Sequence, residues 1–256
     1  MKTEELVKYQ NRLMGLIPPE RIVKVEFARP PREVIEAFLE MDGLTPTVSD
    51  VLDSMGIKGT ISASRLRPII TGKKIVGPAV TIRYIPESNT PDYGYYNMER
   101  ANLADRDVYA IAEKGDVAVF DAASLGDISV MGGLSTLVAK QWEMAGNIVD
   151  GGVRDIDTVR KLDYPVWSTG QTPITGKYRV EAMEINGPVS IAGIRVNPGD
   201  LIIADDSGVC VVPGSRAEEV LEKTISAARR EEEVVKLFES GASIKELSKI
   251  LPPSKW

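Results

Sequence analysis

With 256 residues, 43% of them hydrophobic, the chain can bury a substantial core; it is long for one domain without dividing clearly into two. A net charge of −6 argues against general nucleic-acid binding, which needs clustered positive charge, and fits a protein that handles small molecules. Histidine is absent, which removes the usual general base, the usual zinc ligand and the middle member of a Ser-His-Asp triad.

Catalysis would then fall to carboxylates, lysine, tyrosine, arginine, or water activated by a hard ion such as Mg²⁺ or Mn²⁺. No run of about 18 apolar residues is present, so no membrane span is expected. The opening Met1 to Glu5 is charged and helix-like, unlike a secretory signal. The single cysteine, Cys210, lies in the apolar run Val209 to Val212 and reads as a buried strand residue. A cytoplasmic setting is expected.

In chain order, residues 1–40 read as a helical lead-in, broken at Pro18-Pro19, with Pro30-Pro31 opening a second helix through Val34, Ile35 and Phe38. A further helix starts near Thr47 or Ser49, either of which can cap it. Gly77 to Tyr84 reads as a strand, and the polar stretch Ser88 to Asn97 as a loop over a site. From Asp107 an α/β alternation follows: helix Val108 to Ala112, strand Asp116 to Asp121, helix Leu134 to Ala145, strand Gly146 to Asp150, helix Ile156 to Leu162, strand Pro165 to Ser168. That order implies parallel pairing with right-handed crossovers. Beyond Gly170 come short strands at Val189 to Ile191, Ile194 to Val196, Asp200 to Ile203 and Val209 to Val212, with turns at Asn197 to Asp200 and Asp205 to Gly208. A long helix, Arg216 to Glu239, closes the pattern.

The most informative stretch runs from Gly132 to Asp155. A glycine pair opens an apolar helix (Gly132-Gly133-Leu134-Ser135), and Gly151-Gly152-Val153-Arg154-Asp155 follows a strand. A helix start offers bare N–H groups to an anion, arginine offers a planar fork for a carboxylate or carbonyl, and a carboxylate can hold a hard metal. Together these describe a small pocket for a metal-bound oxoacid. Plainer readings stand beside it: Asp155 can cap the helix from Ile156, and Arg154 can belong to an ion pair.

Gly115 to Asp121, Gly132-Gly133-Leu134, Gly151 to Asp155 and Pro198 to Val209 occur in the order seen in RraA-like proteins, and from Thr45 to Pro213 the chain resembles that family, which includes the 4-hydroxy-4-methyl-2-oxoglutarate aldolases. The resemblance implies an α/β fold of the swivelling β/β/α type. The domain would span 45–215, with an N-terminal helical extension over 1–44 and a C-terminal helix and tail over 216–256. It implies a homotrimer or hexamer. It further implies a class II aldolase or oxaloacetate-type decarboxylase that acts on a small 2-oxoacid through a pyruvate enolate, with Mg²⁺ or Mn²⁺.

By the same resemblance, the amides of Gly132, Gly133, Leu134 and Ser135 hold the pyruvyl carboxylate, Arg154 contacts the pyruvyl oxygen, and Asp155 ligates the metal. The family's aldolases commonly carry an aspartate where this chain has Gly133, and an acid where it has Thr158. An acid from the last helix is expected to reach a neighbouring subunit's metal waters. Glu231 and Glu232, which interrupt the apolar face of Val220, Leu221, Ile225, Ala228, Val234, Val235 and Phe238, are the residues for that part; pairing with Arg229 or Arg230 is the alternative. The founding RraA protein binds an endoribonuclease, so a non-catalytic regulator is the second reading. A methyltransferase ranks last, since no glycine-rich cofactor loop follows the first strand.

Overall fold

The computed structural model describes residues 2–241, 243, 245 and 246. The chain opens with helix α1 (Lys2–Val7), passes through hydrogen-bonded turns over 8–12, then runs largely extended around a 3₁₀ turn at Pro19–Arg21, and re-enters helix at α2 (Arg32–Glu40) and α3 (Leu44–Ser54). The lead-in is thus helical at its two ends and an extended strap between them. Prolines at 18, 19, 30 and 31 account for this, since each removes an N–H donor and disfavours helix in the residue before it.

Strands β1 (Thr60–Ser62), β2 (Arg67–Pro68) and β3 (Ile75–Pro86) come next, then α4 (Pro91–Tyr96), α5 (Asp105–Ile111), β4 (Val117–Asp121), β5 (Ser129–Met131) and α6 (Gly133–Gln141). Then follow β6 (Gly146–Val153), α7 (Ile156–Lys161), β7 (Val166–Gln171), β8 (Val180–Ile185), the hairpin β9 (Val189–Ile191) and β10 (Ile194–Val196), β11 (Leu201–Asp205), β12 (Gly208–Val212) and α8 (Ala217–Glu239). The main sheet runs β1-β12-β11-β3-β4-β6-β7-β2, with β5 added to β6 and β8 to β3. Its centre, β3-β4-β6-β7, is parallel, as the α/β alternation implies for β4, β6 and β7. The strands beyond Gly170 are antiparallel but do not form a layer of their own: β11 and β12 pair as a hairpin and join this same sheet through β3, and only β9 and β10 stand apart. Strand β3 is the pivot: its first half pairs with β11 and its second half with β8, both antiparallel. That split curls the sheet.

Alternation along each strand sends neighbours to different cores. Ala118 and Phe120 face a layer built from α5, α6 and the N-terminal strap, whereas Val117 and Val119 face the β9–β10 hairpin and Trp167. Leu201, Ile203, Cys210 and Val212 face a third layer made by α2, α3 and the first half of α8. There Phe38 is fully buried, a burial worth roughly 1.5–3 kcal/mol. Cys210 is buried too, and burial pushes its thiol up to about 12.

Several local expectations are corrected. Segment 88–97 is not a loop over a site but contains α4, whose Tyr95 packs edge-on against Tyr178. The third helix is capped by neither Thr47 nor Ser49. It starts at Leu44 behind a left-handed Gly43, and the Asp205 carboxylate accepts the Thr45 N–H at 3.0 Å and its hydroxyl at 2.6 Å. Thr47 instead donates to the Gly43 carbonyl. The apolar face of α8 is buried only through Thr224; Val235 and Phe238 are exposed.

The strap is held to the body by buried acids. The Asp107 carboxylate accepts N–H groups from Met14 (2.6 Å), Gly15 (3.2 Å), Leu16 and Ile17 (3.3 Å). Arg29 forms a two-pronged pair with buried Asp116, at 3.0 and 2.8 Å. Burial raises the Asp116 carboxyl although Arg29 pulls it down.

Candidate active site

Strand β6 runs through Gly151, Gly152 and Val153 in the sheet interior, and the chain leaves its carboxyl end at Arg154. Asp155 then adopts a left-handed conformation (φ 54°), uncommon for a non-glycine residue, at the N-cap position of α7. Its side chain does not cap α7. It reaches across to α6, where Oδ2 accepts the Gly133 N–H at 2.9 Å. Arg154 Nε lies 3.6 Å from the same oxygen, with both side chains nearly half exposed. The helix-cap alternative for Asp155 is therefore replaced by a link between two elements.

Close approach explains the two glycines. A Cβ on Gly132 would stand 2.8 Å from Asp155 Oδ2 and 3.0 Å from Arg154 Cγ. A Cβ on Gly133 would stand 3.0 Å from Thr158 Cγ2 and 3.4 Å from Asp155 Cβ. The two positions where this chain departs from the aldolase pattern, Gly133 and Thr158, thus touch each other.

Gly132, Gly133, Leu134, Ser135, Arg154 and Asp155 all line one cavity of about 140 Å³. The first intrahelical bond of α6 runs from Thr136 N to the Gly132 carbonyl, leaving the Leu134 and Ser135 N–H groups without an acceptor among the described residues. The cavity therefore offers two free amides at a helix start, a guanidinium and a carboxylate whose Oδ1 meets no protein donor among the described residues. No cluster of three or more acidic or cysteine side chains forms a metal cage among those residues. Asp155, with Oδ1 free of protein donors among the described residues, would anchor a cation, a donor set that suits a hard, water-rich dication and not zinc.

The wall also contains Leu16 from the strap, Asp105 and Arg106 from α5, and Ser129, Thr175 and Gly176. None of these was marked by the sequence pattern: all but Ser129 come from elements distant in the chain, and Ser129, three residues ahead of Gly132, carries no motif of its own. Gly151 and Gly152 do not line the cavity, nor do Tyr93, Tyr95 and Tyr96. Glu231 and Glu232 lie on the exposed half of α8, Glu232 beside Lys236 at 3.7 Å, so within one chain they neither interrupt a buried face nor reach this cavity.

A larger cavity of about 840 Å³ lies elsewhere, lined by Asp121, Asp150, Arg65 and Arg83. Its two sheet carboxylates are occupied structurally, accepting the Ser190 N–H at 3.0 Å and the Ala192 N–H at 2.5 Å from the β9–β10 hairpin.

Residues 45–211 match the family model described as RraA-like, Aldolase/RraA. The chain belongs to the RraA-like family. Protein DlpA of Legionella pneumophila is 37% identical over 199 residues, which are 78% of this chain but only 31% of DlpA. A Halalkalibacterium halodurans protein provisionally named 4-hydroxy-4-methyl-2-oxoglutarate aldolase is 32% identical over 179 residues, 70% of this chain and 77% of that one. Among solved structures, an uncharacterized protein from Pseudomonas syringae pv. tomato superposes with a TM-score of 0.72 at 28% identity, covering 86% of this chain and 99% of its own. Streptomyces coelicolor RraAS2, described as an unusual member of the RNase ES inhibitor RraA family, gives 0.66 at 28% identity, covering 81% and 98%. The RraA-like match starts at Thr45, yet Leu16 ahead of it contributes to the cavity wall. Among the described residues no helix is long and apolar enough to cross a membrane.

Proposed function

We propose that this RraA-like protein is a divalent-metal-dependent carbon–carbon lyase acting on a small 2-oxoacid, by aldol cleavage or by decarboxylation of an oxaloacetate-type acid. The observation that carries this reading is the convergence of free α6 amides, Arg154 and Asp155 on one small cavity. The Leu134 and Ser135 amides receive the substrate carboxylate at the positive end of the helix. Arg154 places a fixed positive charge beside the 2-oxo oxygen, where negative charge grows as the bond to the departing group breaks. Asp155 holds Mg²⁺ or Mn²⁺ with water; when bound, the ion supplies Lewis-acid stabilisation of that same charge. The backbone bond to Gly133 fixes the Asp155 carboxylate, so it does not reorganise during the reaction.

The protein works as a homotrimer or a stacked hexamer, in which Glu231 or Glu232 of one subunit completes a neighbour's site. Leu134, which lines the cavity and is 68% exposed, and Leu137, one turn further along α6 and 50% exposed, support this, since large exposed apolar side chains beside a site mark a contact surface. The setting is cytoplasmic.

The test is a coupled pyruvate-release assay on oxaloacetate and on 4-hydroxy-2-oxoacids, with and without Mg²⁺ or Mn²⁺. Metal-dependent turnover that falls at least about 100-fold in Arg154→Ala and Asp155→Ala supports the lyase. No turnover on any of these substrates overturns it. The resemblance to RraAS2 favours a second reading, a non-catalytic regulator of an endoribonuclease. Absent turnover together with saturable binding to such an enzyme selects that reading.

A further inference from the structure

The cavity holds a second carboxyl group, that of Asp105, and the residues behind it form an ordered chain of hydrogen-bond donors. Ala104, in a left-handed conformation (φ 43°), turns the chain into α5 so that Asp105 meets the cavity wall. Asp105 is only 6% exposed. Behind it, Tyr164 donates its hydroxyl to Asn147 Oδ1 at 2.7 Å, and Asn147 Nδ2 donates to the Tyr109 hydroxyl oxygen at 2.6 Å. Tyr109 and Ser135 hydroxyls lie 3.0 Å apart. The Tyr109 hydroxyl thus accepts from Asn147 and shares one hydrogen bond with Ser135. The Ser135 hydroxyl lies beside the Asp105 carboxyl and pulls it down against the effect of burial. The whole network is buried, and Ser135 and Asp105 are the members that line the cavity.

The Asp105 carboxyl thus stands between this buried network and the cavity it lines. Burial raises this carboxyl above the ordinary range; the Ser135 hydroxyl and the neighbouring Arg106 only partly offset it. The remaining groups around it are the Tyr84 and Tyr109 hydroxyls, both neutral because burial raises them, and Arg154 and Asp155 elsewhere on the cavity wall.

We infer that Asp105 is the proton donor to the enolate carbon in this histidine-free site, an inference that rests on the lyase reading above. Once the C3 bond to the departing group has broken, its electron pair resides in the enolate. The enolate then forms a C3–H bond with the Asp105 proton, the carboxyl O–H bond breaks, and pyruvate results with Asp105 left as a carboxylate. In decarboxylation, one solvent proton per turnover restores the acid. In aldol cleavage, the proton released from the substrate hydroxyl balances the one consumed. Ser135 and Tyr109 are positioning residues that hold the carboxyl in orientation.

The experiment measures two reactions on the full chain with Mg²⁺ or Mn²⁺: carbon dioxide release from oxaloacetate, and exchange of the pyruvate methyl protons in D₂O followed by NMR. In Asp105→Asn, exchange is expected to fall at least about 100-fold, and carbon dioxide release to fall by a smaller factor, because the enolate can leave the site and take its C3 proton from water. Asp105→Glu, which keeps the acid, is expected to recover part of the exchange with a displaced pH profile. Wild-type protein that neither decarboxylates nor exchanges overturns the lyase reading and this inference with it. Wild-type activity with unchanged exchange in Asp105→Asn overturns this inference alone. So does equal loss of both reactions in Asp105→Asn and Asp105→Glu when neither variant melts below wild type. Should Asp105→Asn fail to fold, the exchange rate and pH profile of Asp105→Glu decide, and wild-type behaviour in both counts against the assignment.

Discussion

The Asp155 carboxylate accepts the backbone N–H of Gly133 at 2.9 Å, tying the end of the β6 turn to the start of α6. Asp155→Asn separates charge from position, because the amide oxygen can still accept that N–H. Turnover is expected to fall at least about 100-fold and the metal-induced rise in melting temperature to vanish, with the metal-free melting temperature within about 1 °C of wild type. Asp155→Ala loses the same activity and also the link to α6. Pyruvate release and thermal melts with and without Mg²⁺ check both.

Asp107 gathers four consecutive strap amides onto one carboxylate. Asp107→Ala leaves these donors without an acceptor and is expected to cost about 3 kcal/mol or more, a drop in melting temperature of roughly 6–12 °C. Limited proteolysis should then cut within 8–31. Because Leu16 lines the cavity, the KM for a 2-oxoacid should rise as well.

Arg29 is the partner of Asp116, which is 1% exposed. Arg29→Ala strands a buried carboxylate and is expected to cost about 3–5 kcal/mol at neutral pH. Burial raises the Asp116 carboxyl, so the folded protein favours its neutral form. The loss should therefore shrink as pH falls and Asp116 takes up a proton. Denaturant unfolding of both proteins at pH 7.5 and pH 4.5 tests the sign.

Asp105 gives a pH dependence of its own. Its raised carboxyl stabilises the fold below the ordinary carboxylate value, and that stabilisation is lost as pH rises through the raised one. Asp105→Asn, which carries no ionising group there, should melt above wild type near pH 7.5 and close to it near pH 4. Melting curves across that range check this, and a variant less stable at every pH contradicts it.

Leu137 is half exposed next to Leu134 on α6. If these side chains join subunits, Leu137→Asp should convert a trimer to monomers, read by light scattering, and reduce turnover with it. An unchanged mass contradicts the placement of the subunit contact.

The parallel centre of the sheet was legible because Val117 to Phe120 and Ile148 to Val149 are continuous apolar runs separated by helix-period stripes. The main elements of the site were legible too, since glycines, arginine and aspartate sit within 24 residues of chain. What stayed hidden is what depends on long-range contact. Strand β8 carries glutamates at 181 and 184 and shows no apolar run, and it is a strand because β3 offers it an edge. The Asp205 cap on α3 joins residues 160 apart. Asp105 and Leu16 reach the cavity only through the packing of α5 and the strap. The apolar residues late in α8 read as core, yet within one chain nothing covers them.

Gly133 and Thr158 face each other between α6 and α7, where a Cβ at 133 would stand 3.0 Å from the Thr158 methyl. Thr158 is exposed, so its side chain can turn aside, and the identities at the two positions are coupled without excluding each other. Exchanges at 133 and 158 are therefore to be made and measured as a pair.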